Sequence, residues 1–264
     1  MTAAGVLFRR WFVIVKPDII DGIMIEFQDI TKTYADFTAV KNLNLTVQAG
    51  EVFGFIGPNG AGKTTTIKII GGILQPTAGN VKICGIDIGR HPEAAKKKIG
   101  FIPDRPYIYE KLTGMEFMKF TADLYGLGRN GFVAKAASEL ERFSLYDWRD
   151  ELIESYSHGM RQRLIFAAAL LHDPQVLVVD EPMVGLDPVA IKMVKDLFQR
   201  LASEGKTVFM STHTLAIAEK TCHRIGVIHR GRLKATGTPE ELSREAGGTD
   251  ADLERTFLHL TRGD

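Results

Sequence analysis

Hydrophobic and polar residues alternate in the first third of the chain, over residues 24–30, 43–47 and 81–83. A period of two is typical of strands that bury one face and leave the other in solvent. Gly50 and the run Pro-Thr-Ala-Gly-Asn at 76–80 supply turn residues between these segments. We therefore expect the three segments to pair as an antiparallel sheet.

A second group of segments is apolar without alternation, which is typical of strands buried on both faces of a parallel sheet. Helical patterns separate most of these runs, as the crossovers between parallel strands require. The runs are residues 52–56, 100–102, 176–179, 208–210 and 225–228. They predict a mainly parallel sheet at the centre of an α/β core.

Between residues 105 and 170, apolar residues recur at helical spacing and no run favours a strand. The three helical segments there are residues 115–125, 132–143 and 161–171. This pattern indicates a helical subdomain, at about 105–170, that is inserted into the α/β core. Two short helices are also expected near the C-terminus, at 239–246 and 251–260.

Composition narrows the class of protein. With 264 residues, 45% of them hydrophobic, the chain is long enough to bury a large core in one or two domains. The formal net charge of +1 gives no support for a nucleic-acid partner. Cys84 and Cys222 lie far apart and in no metal-binding spacing, so we expect reduced thiols in a cytosolic protein.

No apolar stretch approaches the ~18 residues that a membrane-spanning helix needs, and the longest candidate, 164–171, has eight. Any membrane role is therefore expected to come through a partner. Residues 1–23 form an N-terminal extension that contains a short apolar run at 11–15. We favour a loose extension, or a start upstream of a natural one at Met24; weak interfacial membrane contact is the alternative.

The strongest chemical signal is the spacing G-x-x-x-x-G-K-[ST] at residues 57–64, a phosphate-binding loop between a strand-like and a helical run. A helix N-terminus there presents free N–H groups to an anion, and the glycines let the backbone approach it. Lys63 is placed to reach the β- and γ-phosphates, and the Thr64 hydroxyl to hold Mg²⁺. The predicted nucleotide-binding residues are Gly57, Pro58, Asn59, Gly60, Ala61, Gly62, Lys63, Thr64 and Thr65.

Two acids, Asp180 and Glu181, follow the buried run at 176–179. Carboxylates at this point lie at the C-terminal edge of a parallel sheet, beside the phosphate loop. Asp180 is suited to hold Mg²⁺ through bound water, and Glu181 to act as the general base that polarises an attacking water. An apolar run that ends in Asp-Glu is weak evidence alone, but after a phosphate loop it indicates nucleotide hydrolysis.

Three further motifs follow one another along the chain. They are Ser157-His158-Gly159-Met160-Arg161-Gln162-Arg163, then Gly185-Leu186-Asp187-Pro188, then Ser211-Thr212-His213. With the phosphate loop and the acids, this order resembles the ATP-binding subunit of an ABC transporter. The resemblance implies a P-loop NTPase core with an antiparallel side sheet and an inserted helical subdomain. It indicates an ATP-binding domain at 24–236 and a C-terminal helical tail at 237–264.

The resemblance implies a head-to-tail dimer with two ATP molecules between the subunits. In the family, the segment of Ser157 and Gly159 binds the γ-phosphate held by the other subunit, and the loop of Asp187 crosses to that subunit. A Ser hydroxyl, backbone amides and a helix N-terminus suit phosphate binding. A plain N-cap remains the alternative for Ser157. A homodimer is expected, with a transmembrane permease as its other partner.

His213 matches the family's histidine at the γ-phosphate and the attacking water, so the expected catalytic residues are Glu181, His213 and Lys63. Tyr34 matches the aromatic residue that stacks on adenine; an ordinary edge-strand tyrosine is the alternative. Stacking tolerates any base and favours ATP only weakly over GTP. The implied cofactors are ATP and Mg²⁺.

The sequence departs from the common family pattern at three positions. His158 replaces a usual Gly and Met160 a usual Gln, in a variant that resembles exporters with a separate membrane subunit. His158 either donates to the γ-phosphate or faces solvent. Asp104 stands where the family usually has a Gln that contacts Mg²⁺. Either Asp104 still senses the metal, or Arg105 pairs with it and it never reaches the site.

The expected function is ATP hydrolysis that powers transport, with export favoured, through a separate permease at the cytoplasmic face of the membrane. A permease helix would dock near residues 104–109, where the candidate groove residues are Tyr107, Ile108, Tyr109 and Leu112. Ordinary subdomain core is an equal alternative for each. The tail at 252–260 also resembles exporter subunits. A soluble ABC ATPase that acts on ribosomes or nucleic acid and a P-loop kinase are the weaker alternatives; the cargo is not readable.

Overall fold

The computed structural model describes residues 22–245 and 253–262, and within these ranges the chain forms two sheets, nine α-helices and two short 3₁₀-helices at Tyr146–Trp148 and Ile153–Ser155. The strands are β1 Ile23–Tyr34, β2 Phe37–Gln48, β3 Val52–Ile56, β4 Ala78–Ile83, β5 Ile86–Asp87, β6 Ile99–Ile102, β7 Val176–Asp180, β8 Thr207–Thr212, β9 Arg224–His229 and β10 Arg232–Gly237. The helices are α1 Lys63–Ile70, α2 Pro92–Lys96, α3 Gly114–Leu124, α4 Arg129–Arg142, α5 His158–Leu170, α6 Pro188–Ser203, α7 Leu215–Thr221, α8 Pro239–Glu245 and α9 Leu253–Arg262.

The first sheet has the order β2-β1-β4-β5 and is antiparallel throughout, which confirms the predicted side sheet. Ile25 and Phe27 of β1 lie on its buried face, as the alternation predicts. Both β1 and β2 are longer than the predicted segments, because they pair along twelve residues each with register shifts at bulges. The hairpin closes where Tyr34 pairs with Phe37.

The second sheet has the order β10-β9-β3-β8-β7-β6, and its strands from β9 to β6 are parallel. Every residue of β3, β7 and β8 is buried, which confirms the prediction from the continuous apolar runs. The strand β10 is antiparallel to β9 and was not predicted. Residues 232–236 of this strand alternate between polar and apolar side chains, a short period of two that could have indicated a strand.

An aromatic cluster joins the two sheets. Phe209 in β8 stacks on Phe53 with ring centroids 5.5 Å apart, lies 5.5 Å from Phe55, and reaches Phe27 of the side sheet at 6.1 Å. All four side chains are buried. Burying large rings contributes strongly to stability and fixes the packing angle, so the side sheet is held firmly over the core sheet.

The helical subdomain comprises α3, α4 and α5. A capping box between Thr113 and Glu116 begins α3, and Ser157 begins α5 by accepting a hydrogen bond from the Met160 N–H at 3.3 Å. Within the described residues of 105–170 there is no strand, only one isolated bridge between Thr113 and Leu152. The structure therefore has the predicted subdomain.

The last two helices pack on the core. The Thr256 hydroxyl of α9 donates to the Leu242 carbonyl of α8 at 2.9 Å, and both Leu242 and Leu253 are buried. Both predicted tail helices are present, although residues 246–252 lie outside the described ranges. The predicted extension at 1–23 also falls outside them, except for residues 22 and 23. Of the helices that the structure describes, none combines the length and the apolar character needed to cross a membrane.

Candidate functional site

The phosphate loop joins β3 to α1 and packs tightly against neighbouring strands. Gly60 and Gly62 have φ angles of 79° and 111°, which side chains rarely tolerate. A Cβ on Gly57 would overlap the Ile228 carbonyl of β9. The first turn of α1 has neither a side-chain cap nor an acidic residue. Its N–H groups are therefore available to an anion.

Lys63 begins α1 and extends back over the loop. Its ammonium donates to the Gly57 carbonyl at 2.7 Å and the Pro58 carbonyl at 3.3 Å, and it lies 3.9 Å from Glu181 Oε1. The side chain is 7% exposed. Burial lowers the pKa of Lys63, while Glu181 and Asp180 counteract this shift. The site thus places one buried cation beside two carboxylates.

Asp180, the last residue of β7, is buried and hydrogen-bonded on two sides. Its carboxylate accepts hydrogen bonds from the Ser211 hydroxyl, which faces it across the β7–β8 pairing, and from Thr64. Burial raises the pKa of Asp180; these hydrogen bonds lower it, and the charges of Glu181 and Asp104 raise it. The role of Ser211 was missed, although a polar residue that ends an apolar run is a usable signal.

Glu181 occupies a strained position directly after β7. Its φ is 50°, in the left-handed region that residues other than glycine seldom adopt, and such strain is common at functional sites. Its Oε1 lies 2.9 Å from Nδ1 of His213, which follows β8. Its Oε2 is buried and has no hydrogen-bond partner among the described residues. A buried acceptor of this kind is suited to bind a water molecule.

A cavity of about 780 Å³ brings most of the predicted residues together. The predicted residues that line it are Tyr34, Asn59, Gly60, Gly62, Lys63, Thr64, Thr65, Asp104, Glu181 and His213. His158 lines it too, with its Nε2 near Gly185. The structure therefore keeps both His158 alternatives open, since the ring is exposed yet lies at the cavity.

Seven predicted residues do not line this cavity. Four of them are Gly57, Pro58 and Ala61 of the phosphate loop and Asp180 at the end of β7. The other three lie at the starts of α5 and α6. Ser157 and Gly159 lie at the start of α5, and Asp187 caps α6 by accepting from the Ala190 N–H at 2.8 Å. A Cβ on Gly159 would meet no atom within 4 Å among the described residues. The backbone at this point of α5 is therefore open to an incoming group.

Phe37 is a cavity residue that the sequence reasoning missed. It pairs with Tyr34 across the β1–β2 hairpin, and the two rings are 62% and 44% exposed. The Lys32 ammonium lies 5.2 Å from the centre of the Tyr34 ring. A signal existed in the aromatic residues on either side of the Ala35-Asp36 turn. The hairpin tip thus offers two aromatic surfaces at the cavity.

The oxygen donors at the cavity and next to it fit Mg²⁺. Thr64, Asp180 and Asp104 all offer oxygen, which this cation prefers, and it commonly takes one or two carboxylates plus substrate phosphates. No group of three His, Cys, Asp or Glu side chains within 22–245 and 253–262 forms a metal cage. Asp104 is half-exposed and 4.0 Å from Arg105 Nε, so it both pairs loosely with Arg105 and lines the cavity.

Comparison with known proteins agrees with this geometry. Residues 40–184 match the ABC transporter family. The chain is 37% identical over 238 residues to the linearmycin resistance ATP-binding protein LnrL of Bacillus subtilis, covering 90% of this chain and 75% of that protein. It is 38% identical over 226 residues to the Nod factor export ATP-binding protein I of Burkholderia pseudomallei, covering 86% and 74%. A solved structure of the ATP-binding subunit of an ABC transporter has a TM-score of 0.83 and 32% identity, covering 90% of this chain and 99% of that one.

A phosphate loop at the edge of a parallel sheet, beside a buried Asp-Glu pair, defines a P-loop ATPase. The chain belongs to the ABC transporter family, as one of its ATP-binding subunits. Members of this family hydrolyse ATP to power transport. The predicted family, fold class and enzyme class are thereby confirmed.

Proposed function

We propose that this chain binds and hydrolyses ATP between two copies of itself. The observation that carries the proposal is the division of the predicted phosphate ligands. Lys63 and Thr64 line the cavity, whereas Ser157 and Gly159 lie outside it on an open surface. One chain therefore carries its two groups of phosphate ligands in separate places, and in the proposed dimer each group serves a different nucleotide. A head-to-tail pair completes two sites.

Within each site, the residues divide the work of phosphoryl transfer. The N–H groups at the start of α1 and the Lys63 ammonium bind the β- and γ-phosphates and stabilise the charge that develops there. Glu181 accepts a proton from the attacking water, since its Oε2 has no other partner among the described residues. His213 orients Glu181 and contacts the γ-phosphate.

Mg²⁺, when bound, neutralises charge on the phosphate oxygens. Thr64 and Asp180 would hold it, and Asp104 would supply a further carboxylate to the same site. Their arrangement supports this assignment, because the Thr64 hydroxyl and the Asp180 carboxylate are already joined by a hydrogen bond. The Ser211 hydroxyl keeps the carboxylate in place from its other side.

The subunit delivers this work to a transmembrane permease at the cytoplasmic face of the membrane, and the transport is export. The names of relatives support the direction, because they include resistance and export subunits. An exposed aromatic patch supports a docking site: Tyr107 and Tyr109 lie edge to face at 5.1 Å, and Tyr109 and Phe120 at 5.2 Å. The other two predicted groove residues, Ile108 and Leu112, pack against the core instead.

The oligomeric state of the Glu181→Gln protein, measured by light scattering with and without ATP and Mg²⁺, tests the proposal. Removal of the base leaves nucleotide binding intact and holds the closed state, so we expect an ATP-dependent shift from monomer to dimer. The matched control is Glu204→Gln, which changes an exposed glutamate that lies outside the cavity. We expect no stable dimer of the control. A Glu181→Gln protein that binds ATP yet stays monomeric contradicts the proposed head-to-tail dimer.

A further inference from the structure

Two loops of the helical subdomain are joined along their backbones. The segment 110–114 follows the Asp104 loop, and the segment 151–156 leads into Ser157. The Glu154 N–H donates to the Glu110 carbonyl at 3.0 Å, the N–H of Ile153 to the carbonyl of Leu112 at 2.9 Å, and the N–H of Gly114 to the carbonyl of Glu151 at 3.3 Å. The two segments therefore form one hydrogen-bonded unit.

The side chain of Arg161, in α5, binds to both of these paired segments. The Arg161 guanidinium donates from Nη1 to the Glu110 carboxylate at 2.5 Å, from Nη2 to the Glu154 carbonyl at 3.0 Å, and from Nε to the Tyr156 carbonyl at 3.1 Å. It thus binds both segments and the residue that precedes Ser157. A planar guanidinium satisfies several acceptors at once, and an ammonium on a flexible stem does so poorly.

A second ion pair crosses the same two segments, from the Lys111 ammonium to the Glu154 carboxylate at 2.5 Å. Its side chains are 83% and 41% exposed, so this pair contributes little to stability. Arg161 differs, because two of its three acceptors are backbone carbonyls in the turn that sets the direction of α5. The geometry of that turn depends on Arg161 more than on the exposed pair.

We propose that Arg161 is a positioning residue that holds Ser157 and the start of α5 at the angle at which they meet a nucleotide on the other subunit. Through Glu110 it also connects Ser157 to the loop that carries Asp104 at the subunit's own cavity. Each subunit thereby links its own ATP site to the site it completes in its partner. This inference rests on the proposed dimer.

The experiment compares full-length variants in the Glu181→Gln background, with ATP and Mg²⁺ titrated and dimer formation followed by light scattering. Arg161→Ala raises the ATP concentration at half-dimerisation about tenfold, the equivalent of one charge-assisted hydrogen bond. Arg161→Lys raises this ATP concentration by a smaller factor, because lysine retains the positive charge but lacks the planar guanidinium that donates to several acceptors at once. The matched control is Arg142→Ala, whose side chain is 31% exposed against 30% for Arg161 and pairs with Glu139 at 3.3 Å in the same subdomain. The control dimerises like its parent.

Two further readouts separate positioning from general stability. The affinity of the monomer for a fluorescent ATP analogue stays at the parent value in all three arginine variants, because neither Arg161 nor Arg142 lines the cavity. The thermal midpoint of Arg161→Ala stays within about 4 °C of that of Arg142→Ala. Weakened nucleotide binding by the monomer, or an equal loss of dimer in the control, overturns the positioning role.

The remaining outcomes are equally distinct. An Arg161→Ala protein that dimerises at the same ATP concentration as its parent overturns the positioning role and does not contradict the proposed dimer. If the Glu181→Gln parent binds ATP and never dimerises, both the proposed dimer and the positioning role of Arg161 are overturned.

Discussion

Nδ1 of His213 lies 2.9 Å from Oε1 of Glu181, and Nζ of Lys63 lies 3.9 Å from the same oxygen. His213 follows β8, Glu181 follows β7, and Lys63 begins α1. Because both neighbours face Oε1, the buried Oε2 is left to interact with water. The relationship assigns different tasks to the two oxygens of one carboxylate.

Glu181→Gln removes the proposed proton acceptor and keeps the shape of the side chain. We expect the turnover number for ATP hydrolysis to fall by a factor of about 10² or more, the usual contribution of a general base. We expect affinity for ATP to be retained, because Lys63 and the start of α1, the proposed phosphate-binding groups, are unchanged. A phosphate-release assay beside an ATP-binding titration measures both, with Glu204→Gln as the control. Turnover at the wild-type level would rule out Glu181 as the base.

His213→Ala leaves Glu181 without its orienting partner. We expect turnover to fall by a factor of about ten or more, with ATP affinity unchanged. Since the two residues act as one unit, the double variant with Glu181→Gln should be no slower than Glu181→Gln alone. His259→Ala, on the exposed face of α9, is the control. Fully additive losses in the double variant would show that the two side chains act independently.

Phe37→Ala tests the aromatic hairpin tip. We expect ATP to bind about five- to tenfold more weakly, in line with the loss of a stacking contact with the base. Inorganic tripolyphosphate, which lacks a base, should bind as it does to the wild type. Tyr34→Ala should behave similarly, and Tyr107→Ala, an exposed aromatic outside the cavity, should change neither affinity. Calorimetry with both ligands is the measurement; equal weakening of both would point to a damaged loop.

Asp104→Asn keeps the size of the side chain and removes its charge. We expect the Mg²⁺ concentration needed for half-maximal ATP hydrolysis to rise roughly tenfold, as for the loss of an outer-shell partner of a bound ion. Asp123→Asn, which alters an exposed aspartate paired with Lys119, is the matched control. The measurement is ATPase rate against Mg²⁺ at fixed ATP. An unchanged rate and Mg²⁺ dependence would refute metal sensing by Asp104.

His172 connects acidic pH to stability. Its ring stacks on Tyr125 at 3.6 Å and its Nε2 lies 3.0 Å from the Ile99 carbonyl, while burial lowers the pKa of His172 to about 4. In the unfolded chain the His172 side chain has its ordinary pKa of about 6.5. The stability that the buried neutral ring contributes is therefore fully present above pH 6.5 and is lost as the pH falls from there towards 4.

We therefore expect the thermal midpoint of the wild type to fall between pH 7 and pH 5. His172→Phe keeps a stacked ring and cannot titrate, so its midpoint should fall by about 2–4 °C less over the same range. His259→Phe serves as the control. Identical pH dependence of the wild type and His172→Phe would exclude this histidine as the cause.

Local patterns in the sequence were enough to predict the secondary structure of the core. The runs that became β3, β7 and β8 are apolar throughout because each strand is covered on both faces. By contrast, β10 was missed although residues 232–236 alternate between polar and apolar side chains, because a run with only two apolar side chains gives a weak signal. Its antiparallel pairing with β9 identifies it as a strand.

The phosphate loop could be predicted from the amino-acid sequence, because glycine spacing, the lysine and the start of a helix are all encoded within a few residues. The position of Asp180 and Glu181 at the end of a buried strand could be predicted in the same way. The hydrogen bond from Ser211 to Asp180 and the place of Phe37 at the cavity became visible only in the folded chain. These contacts depend on strand order and hairpin register, which are set when apolar surfaces far apart in the chain pack together.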